Sequence, residues 1–484
     1  MASQPIGSIF IAADASSGLI DNKSVGVSLL PRNAVTKAIN VLFDRPRGHI
    51  SQRLGSTIID NAVDGTNDIL GLHNHRSPTA ANCNLVVGCN TKTYYLNGSN
   101  QWTAGATGLH ATNKYRFITY LDRVGVMDGA TFKSSADCIT WVNNNATLND
   151  ANWPTSKFAT ILNTRVVVAG DSSNPDTISL SSLVSAGAIS WTSGNKTVQV
   201  SPNDGAGGIT GLTGNGRVIL IFKQRGMYRY DDNELQRIGY VGTPSHESIC
   251  TDDQGITYFF GQGANGVGFY RTQGGFPEKI SRAITRWVEA ISASQYTNIA
   301  CYTDSKKVEW TVGSITLDEN TYTNVSLVYS ISDRTWTVFS RADRFTVFSQ
   351  YIDSSGNMTV VGGDTDSEVQ TIDSGYSDNG TAIFSEVEMA PMVFSSRGAT
   401  KYLRGDVIAM AEHFQGLELL IKVDNGRFVP VGSINKLNKK FELGGLNLRG
   451  NQFVAKLKSA NSQEPWEFVG LEFPIGSIID EGYI

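Results

Sequence analysis

His73 and His75 stand two residues apart, so both rings fall on one face of a strand. Such a pair can begin a metal site, but no third ligand follows at a recognisable spacing, and a polar strand edge is the plainer reading. Asp364, Asp366 and Glu368 alternate as carboxylates do in calcium loops. The sixth position of that loop is not glycine and the twelfth is Gly375 instead of a bidentate glutamate, which leaves a solvated turn. The stretch Asp204 to Gly216 is rich in glycine yet holds no Gly-Lys-Ser/Thr, so it reads as a flexible loop and not as a phosphate cradle. Lys223, Arg225 and Arg229 interleave with Tyr228 and Tyr230, the pattern of a single-strand nucleic-acid platform. Asp231 and Asp232 follow at once and favour a strand with a charged outer face instead. No Gly-x-Ser-x-Gly or His-Glu-x-x-His is present, and no glycosidase carboxylate pair stands out. No catalytic residue, metal or cofactor is expected, and the chain is expected not to be an enzyme.

The elements that must position these residues are short strands. From 65 to 384, runs of four to six alternating residues recur between Gly, Asn, Asp and Ser turns. Seven units are readable, beginning near Leu85, Arg116, Arg165, Val218, Ile256, Val308 and Met358. A multi-strand repeat of this length points to a β-propeller of about seven blades, with six or eight also open. Trp102, Trp141, Trp191 and Trp336 close four units, where a large flat ring fills the gap between blades that widens toward the rim. Ser135-Ala-Asp137-Cys-Ile-Thr-Trp141 resembles the aspartate box of sialidase-type propellers, one residue short and without its glycine. Such boxes are fold-stabilising turns. Ile280, Ile284, Trp287 and Ile291 share helical spacing and predict a core-packing helix over 279–291.

Residues 1–64 repeat nothing later and read as an extended N-terminal segment with a helix-like stretch over 33–40. A basic turn follows, with Asn40, Arg45, Arg47, Gly48, Arg53 and Gly55 as its candidate assembly residues. Residues 385–484 carry further strands, and Asn425-Gly426 between two of them marks a hairpin. They predict a separate antiparallel β-sandwich. The whole is expected to be all-β in three parts: 1–64, 65–384 and 385–484.

Composition agrees. Glycine numbers 49 of 484 residues and only 18% are charged, which suits many turns and few long helices. The net charge of −5 argues against gripping nucleic acid unaided. It falls on the repeats, where 65–384 hold 23 basic against 28 acidic side chains. Five cysteines without a Cys-x-x-Cys argue against a disulfide framework and for a reducing compartment. The first 22 residues carry no Lys or Arg, so no secretory leader is expected.

Four stretches together resemble the tail nozzle family of short-tailed bacteriophages, that of tail tubular protein B and the packaged-DNA stabilisation proteins. They are Asn40-Val-Leu-Phe-Asp-Arg-Pro-Arg-Gly48 with Arg53-Leu-Gly55, and Val218-Ile-Leu-Ile-Phe-Lys-Gln-Arg-Gly-Met-Tyr-Arg-Tyr230. The third is Val241-Gly-Thr-Pro-Ser-His-Glu-Ser-Ile249 with Gly255-Ile-Thr-Tyr-Phe-Phe-Gly261 and Gly266-Val-Gly-Phe-Tyr270. The last is Pro465-Trp466-Glu-Phe-Val-Gly-Leu471. The resemblance implies a structural virion protein, six copies of which extend the DNA channel below portal and adaptor rings. It implies tail fibre, spike or needle partners, and double-stranded DNA that passes through without sequence-specific binding. It places the protein in the virion tail, assembled in the bacterial host cytoplasm. A mildly acidic wall suits sliding DNA, because a basic one would hold phosphates by counterion release. The basic turn would then dock onto a neighbour or the adaptor; a local salt-bridged turn is its structural reading. The competing expectation is a carbohydrate-binding or carbohydrate-cleaving propeller at the tail tip, marked by a pocket on the propeller axis lined by carboxylates and aromatics.

Overall fold

The computed structural model describes residues 8–480 except 13–16, 22–29, 32, 45–48, 76–84, 215, 265, 353–355, 394–400, 404–405, 414–415, 436–438, 443–445, 447, 451, 462–464 and 475–477. The chain is all-β, and its repeats form a seven-bladed propeller. Blade one runs Ile69–Asn74, Leu85–Cys89, Lys92–Leu96, Trp102–Thr107, each strand paired antiparallel to the next. Blades two, three and four begin with Arg116–Tyr120, Phe158–Leu162 and Ile209–Gly214 and continue as the same meander. The inner strand of blade five is split into Val241–Gly242 and Ile249–Thr251, both paired to Thr257–Gly263. Blade six begins with Ala300–Thr303 and blade seven with Phe345–Ile352. These first strands touch in sequence around the ring, and that of blade seven meets that of blade one.

Blade seven takes its outer strand from elsewhere. Val369–Ile372 pairs with Ser56–Ile58, so the N-terminal segment closes the ring. An open ring would expose strand edges to solvent and to other chains, and closure removes that edge.

The N-terminal segment is therefore not a unit of its own. Ala34–Ile39 lies between Trp336–Ser340 and Thr381–Met389. From there one sheet continues through Gln452–Asn461 to Leu417–Val423 and Val429–Ile434. The facing sheet joins Val41–Asp44 and His49–Gln52 to Glu467–Pro474 and Asp406–His413. The C-terminal sandwich is thus built from both ends of the chain. Its core includes Leu419, Ile421, Phe453, Leu457, Phe468 and Leu471.

Residues 34–39 correct the helix-like reading. Ala34, Val35, Ala38 and Ile39 are buried in a strand covered on both faces, and such a strand shows no alternation to read. The expected helix over 279–291 shortens to a 3-10 turn, Ser281–Ile284, and one helical turn, Thr285–Glu289. Its stripe holds: Ile284, Trp287 and Ile291 are buried, and Trp336 Nε1 donates to the Ile280 carbonyl at 3.0 Å. Cys138 is disulfide-bonded, which the expectation of a reducing compartment does not foresee, while Cys89, Cys250 and Cys301 are free. Among the described residues no helix is long and apolar enough to cross a membrane.

Candidate functional site on the propeller axis

A cavity of about 240 Å³ opens where the inner strands of blades two to five begin. Lys114 and Arg116 come from blade two, Lys157 and Phe158 from blade three, Thr210 from blade four, His246 and Glu247 from blade five. The strand of blade five is broken there because Pro244 has no N–H for the ladder. Thr243 Oγ1 bonds with Ser248 Oγ at 2.9 Å and receives Ser245 N at 3.2 Å, which curls 246–248 into a 3-10 turn. That turn points His246 and Glu247 toward the axis.

The site is charged. Glu247 pairs with Arg116 at 2.7 Å. Burial alone would raise Glu247, but the Arg116 charge, then His246 and Lys114, hold its carboxyl below the ordinary range. Burial lowers Lys114 to about 8, with Glu247 and Asp68 opposing the fall and Arg116 and Arg344 adding to it. Burial lowers His246 to about 4, so its ring is neutral at pH 7. Its Nδ1 accepts Leu212 N at 3.4 Å, which assigns the ring proton to Nε2. The Phe158 ring lies between the Arg116 guanidinium, 4.7 Å from its centroid, and the His246 ring at 5.0 Å. Donors, an ionised acceptor and an aromatic wall thus converge on a space below the roughly 300–1,000 Å³ of drug-sized ligand sites. It fits one small polar ring or chain end.

A larger cavity, about 450 Å³, lies between the propeller and the sandwich beside Lys37, Arg286, Tyr322 and Lys456. Its cations are already matched, Arg286 to Asp21 at 2.8 Å, Lys37 to Glu386 at 2.8 Å and Lys456 to Glu386 at 2.7 Å.

The residues singled out in the sequence mostly serve the fold. Arg53 is 0% exposed, so it is an interior strut that no neighbouring protein reaches, and the docking expectation is corrected for it. Its Nε donates to Asn40 Oδ1 at 2.8 Å, and its two Nη groups grip Asp378. Asn40 also donates to the Ser340 and Phe384 carbonyls. At Gly55 an added Cβ would stand 1.9 Å from the Ser377 carbonyl oxygen. Arg45, Arg47 and Gly48 lie outside the described residues. His73 and His75 both bond Thr119 Oγ1, at 2.7 and 3.0 Å, with no third metal ligand beside them among the described residues. Lys223 is a buried strand residue paired with Asp176 and Asp204, and the glycine-rich stretch supplies that Asp204. Asp137 accepts from Ser135 Oγ and from the N–H groups of Ile139 and Thr140, as the aspartate-box reading expects.

The acidic turn is less solvated than expected. Asp364 is buried, and its carboxylate lies with those of Asp343 and Glu368 so that one oxygen of each falls within 4.8 Å of the others. Those three could hold a cation. Gln370 Nε2 already bridges Asp343, Asp364 and Glu368 at 2.8, 3.0 and 3.4 Å.

No protein-family profile matches the chain, and no curated protein does. Among solved structures it is similar to the extracellular domain of a one-component system protein from B. thetaiotaomicron, at 10% identity and TM-score 0.41. That match covers 93% of this chain but only 64% of the other, less than two thirds of its length. An exo-beta-1,3-galactanase from Phanerochaete chrysosporium matches at 11% identity and TM-score 0.25, over 82% of this chain and all of the enzyme. A glycoside hydrolase matches at 10% and 0.23, over 97% of this chain and 100% of that one. With glycoside hydrolases among its neighbours, the expectation that this chain is not an enzyme is withdrawn. At these scores the likenesses assign it no activity either, and they do not bear on the tail-nozzle resemblance.

Proposed function

We propose that the chain binds a glycan in the axial pocket of its propeller. The observation that carries this reading is the meeting of Lys114, Arg116, His246 and Glu247 from separate blades in one small polar cavity on the axis. Sugar hydroxyls need paired donors and acceptors, and Glu247 held ionised beside Arg116 supplies both. The test is binding of the full chain to an array of immobilised oligosaccharides, beside Glu247→Gln. Retention of at least one glycan, lost in the variant, supports the reading; retention of none removes it. Release of reducing ends from retained glycans would separate cleavage from binding.

A second proposal is a tail-nozzle component, a hexamer joining portal and adaptor rings around double-stranded DNA in the virion tail. Its support is the resemblance carried by the four stretches, beside a platform that both chain ends build next to the propeller. Mass measured with and without phage connector proteins tests it. A chain that joins no ring counts against it.

A further inference from the structure

We infer, resting on the glycan-binding reading, that the axial pocket takes the acidic end of a glycan, seating a carboxylate or sulfate group between Lys114, Arg116 and Lys157.

The charge of the lining is unbalanced where a ligand would sit. Three cations and two carboxylates face the cavity, and the carboxylates are not both available. Asp171 is spent on its own turn, accepting Ser173 N at 2.9 Å and Asn174 Nδ2 at 2.8 Å. Glu247 Oε1 pairs with Arg116, which cancels one of the three cations. Lys114 Nζ donates to the Thr346 carbonyl at 3.2 Å, and among the described residues neither it nor Lys157 has a carboxylate within 4.0 Å. Arg116 Nε is buried without a hydrogen-bond partner among those residues. An ammonium in a confined site costs free energy until an anion joins it. The Lys114 ammonium, a spare guanidinium donor and the exposed Lys157 at the rim therefore complement a ligand anion, while Glu247 is left to accept a sugar hydroxyl. The groups facing Lys114 are Glu247 and Arg116 with Asp68 and Arg344, two of each sign, so they leave its charge uncancelled. The fall of Lys114 to about 8 agrees with this, because an ammonium matched by a carboxylate would move upward.

The experiment places neutral, uronate-terminated and sulfate-terminated oligosaccharides on the same array, with inorganic sulfate as competitor. Acidic termini should be retained at least tenfold more tightly than their neutral counterparts, and this preference should weaken as pH rises through 8 and as salt is added. Lys157→Gln, at the exposed rim, and Lys114→Gln should each lower acidic-glycan affinity about tenfold, that is by about 1.4 kcal/mol. Retention of neutral glycans by Lys157→Gln should not change. Neutral glycans bound as tightly as acidic ones would overturn this inference and leave the glycan reading standing. Binding of inorganic sulfate with no glycan retained would overturn both.

Discussion

Arg53 and Asp378 form a two-pronged ion pair, at 2.6 and 2.7 Å, across 325 positions of the chain. All five guanidinium donors are used, the others going to Asn40 Oδ1 and the carbonyls of Leu54 and Ser340. The pair sits where the N-terminal segment leaves the sandwich and enters blade seven, so it ties closure of the ring to the platform. Arg53→Met should strand the Asp378 carboxylate in the interior and lower stability by roughly 3–5 kcal/mol. Arg53→Lys should recover only part of that, because an ammonium cannot form the planar fork. Chemical denaturation of the three proteins checks this, and equal midpoints would remove the strut.

The same pair predicts behaviour in acid. Burial would raise Asp378, but its bonds and charge contacts with Arg53 hold it below the ordinary carboxylate range. Glu309, gripped by Arg341 at 2.8 Å through both oxygens, is held to about 2 against the same burial. Both are carboxylates with a depressed folded pKa. Their contribution is present above the unfolded value and is lost as pH falls through the folded one. Asp378→Asn should therefore be less stable than the parent at pH 7, and the gap should narrow steadily below pH 4. A gap independent of pH would assign the loss to packing instead.

Gly55 tests the closing strand without touching charge. A methyl group there meets the Ser377 backbone, which cannot swing aside as a side-chain tip can. Gly55→Ala should cost about 1–3 kcal/mol, the usual range for overpacking. Amide exchange in Val369–Ile372, the partner of Ser56–Ile58, should quicken more than in blade three. Uniform quickening would mean that closure is not local to blade seven.

What the chain reveals before folding divides along the same lines. Blade number is readable because each blade is local: hairpins such as Arg116–Tyr120 with Arg123–Met127 alternate and turn within a dozen residues. The closing strand is not readable, since Ser56–Ile58 finds its partner more than 300 positions away and has only three residues to show a pattern. The axial site fails for a related reason. Lys114, Lys157 and Glu247 occupy ordinary positions at strand starts, and only the closed ring brings blades two, three and five to one point. Three arginines near a Pro-Arg-Gly turn look like a surface patch, yet five convergent acceptors draw Arg53 inside.

Lys114 carries the last prediction, one in which stability and binding move in opposite directions. Its folded pKa, about 8, lies below the ordinary lysine value because burial disfavours the charged form. Between about 8 and that ordinary value the unfolded chain binds more protons than the folded one, so stability rises with pH through this window. Lys114→Met removes the buried charge and keeps most of the side-chain volume. It should raise the unfolding midpoint at pH 7 and flatten the rise above pH 8, while lowering affinity for acidic glycans about tenfold. Thermal unfolding from pH 6 to pH 10 reads the first two effects and the glycan array the third. A variant less stable than the parent at pH 7 would mean that Lys114, through its bond to the Thr346 carbonyl, serves the ring and not a ligand.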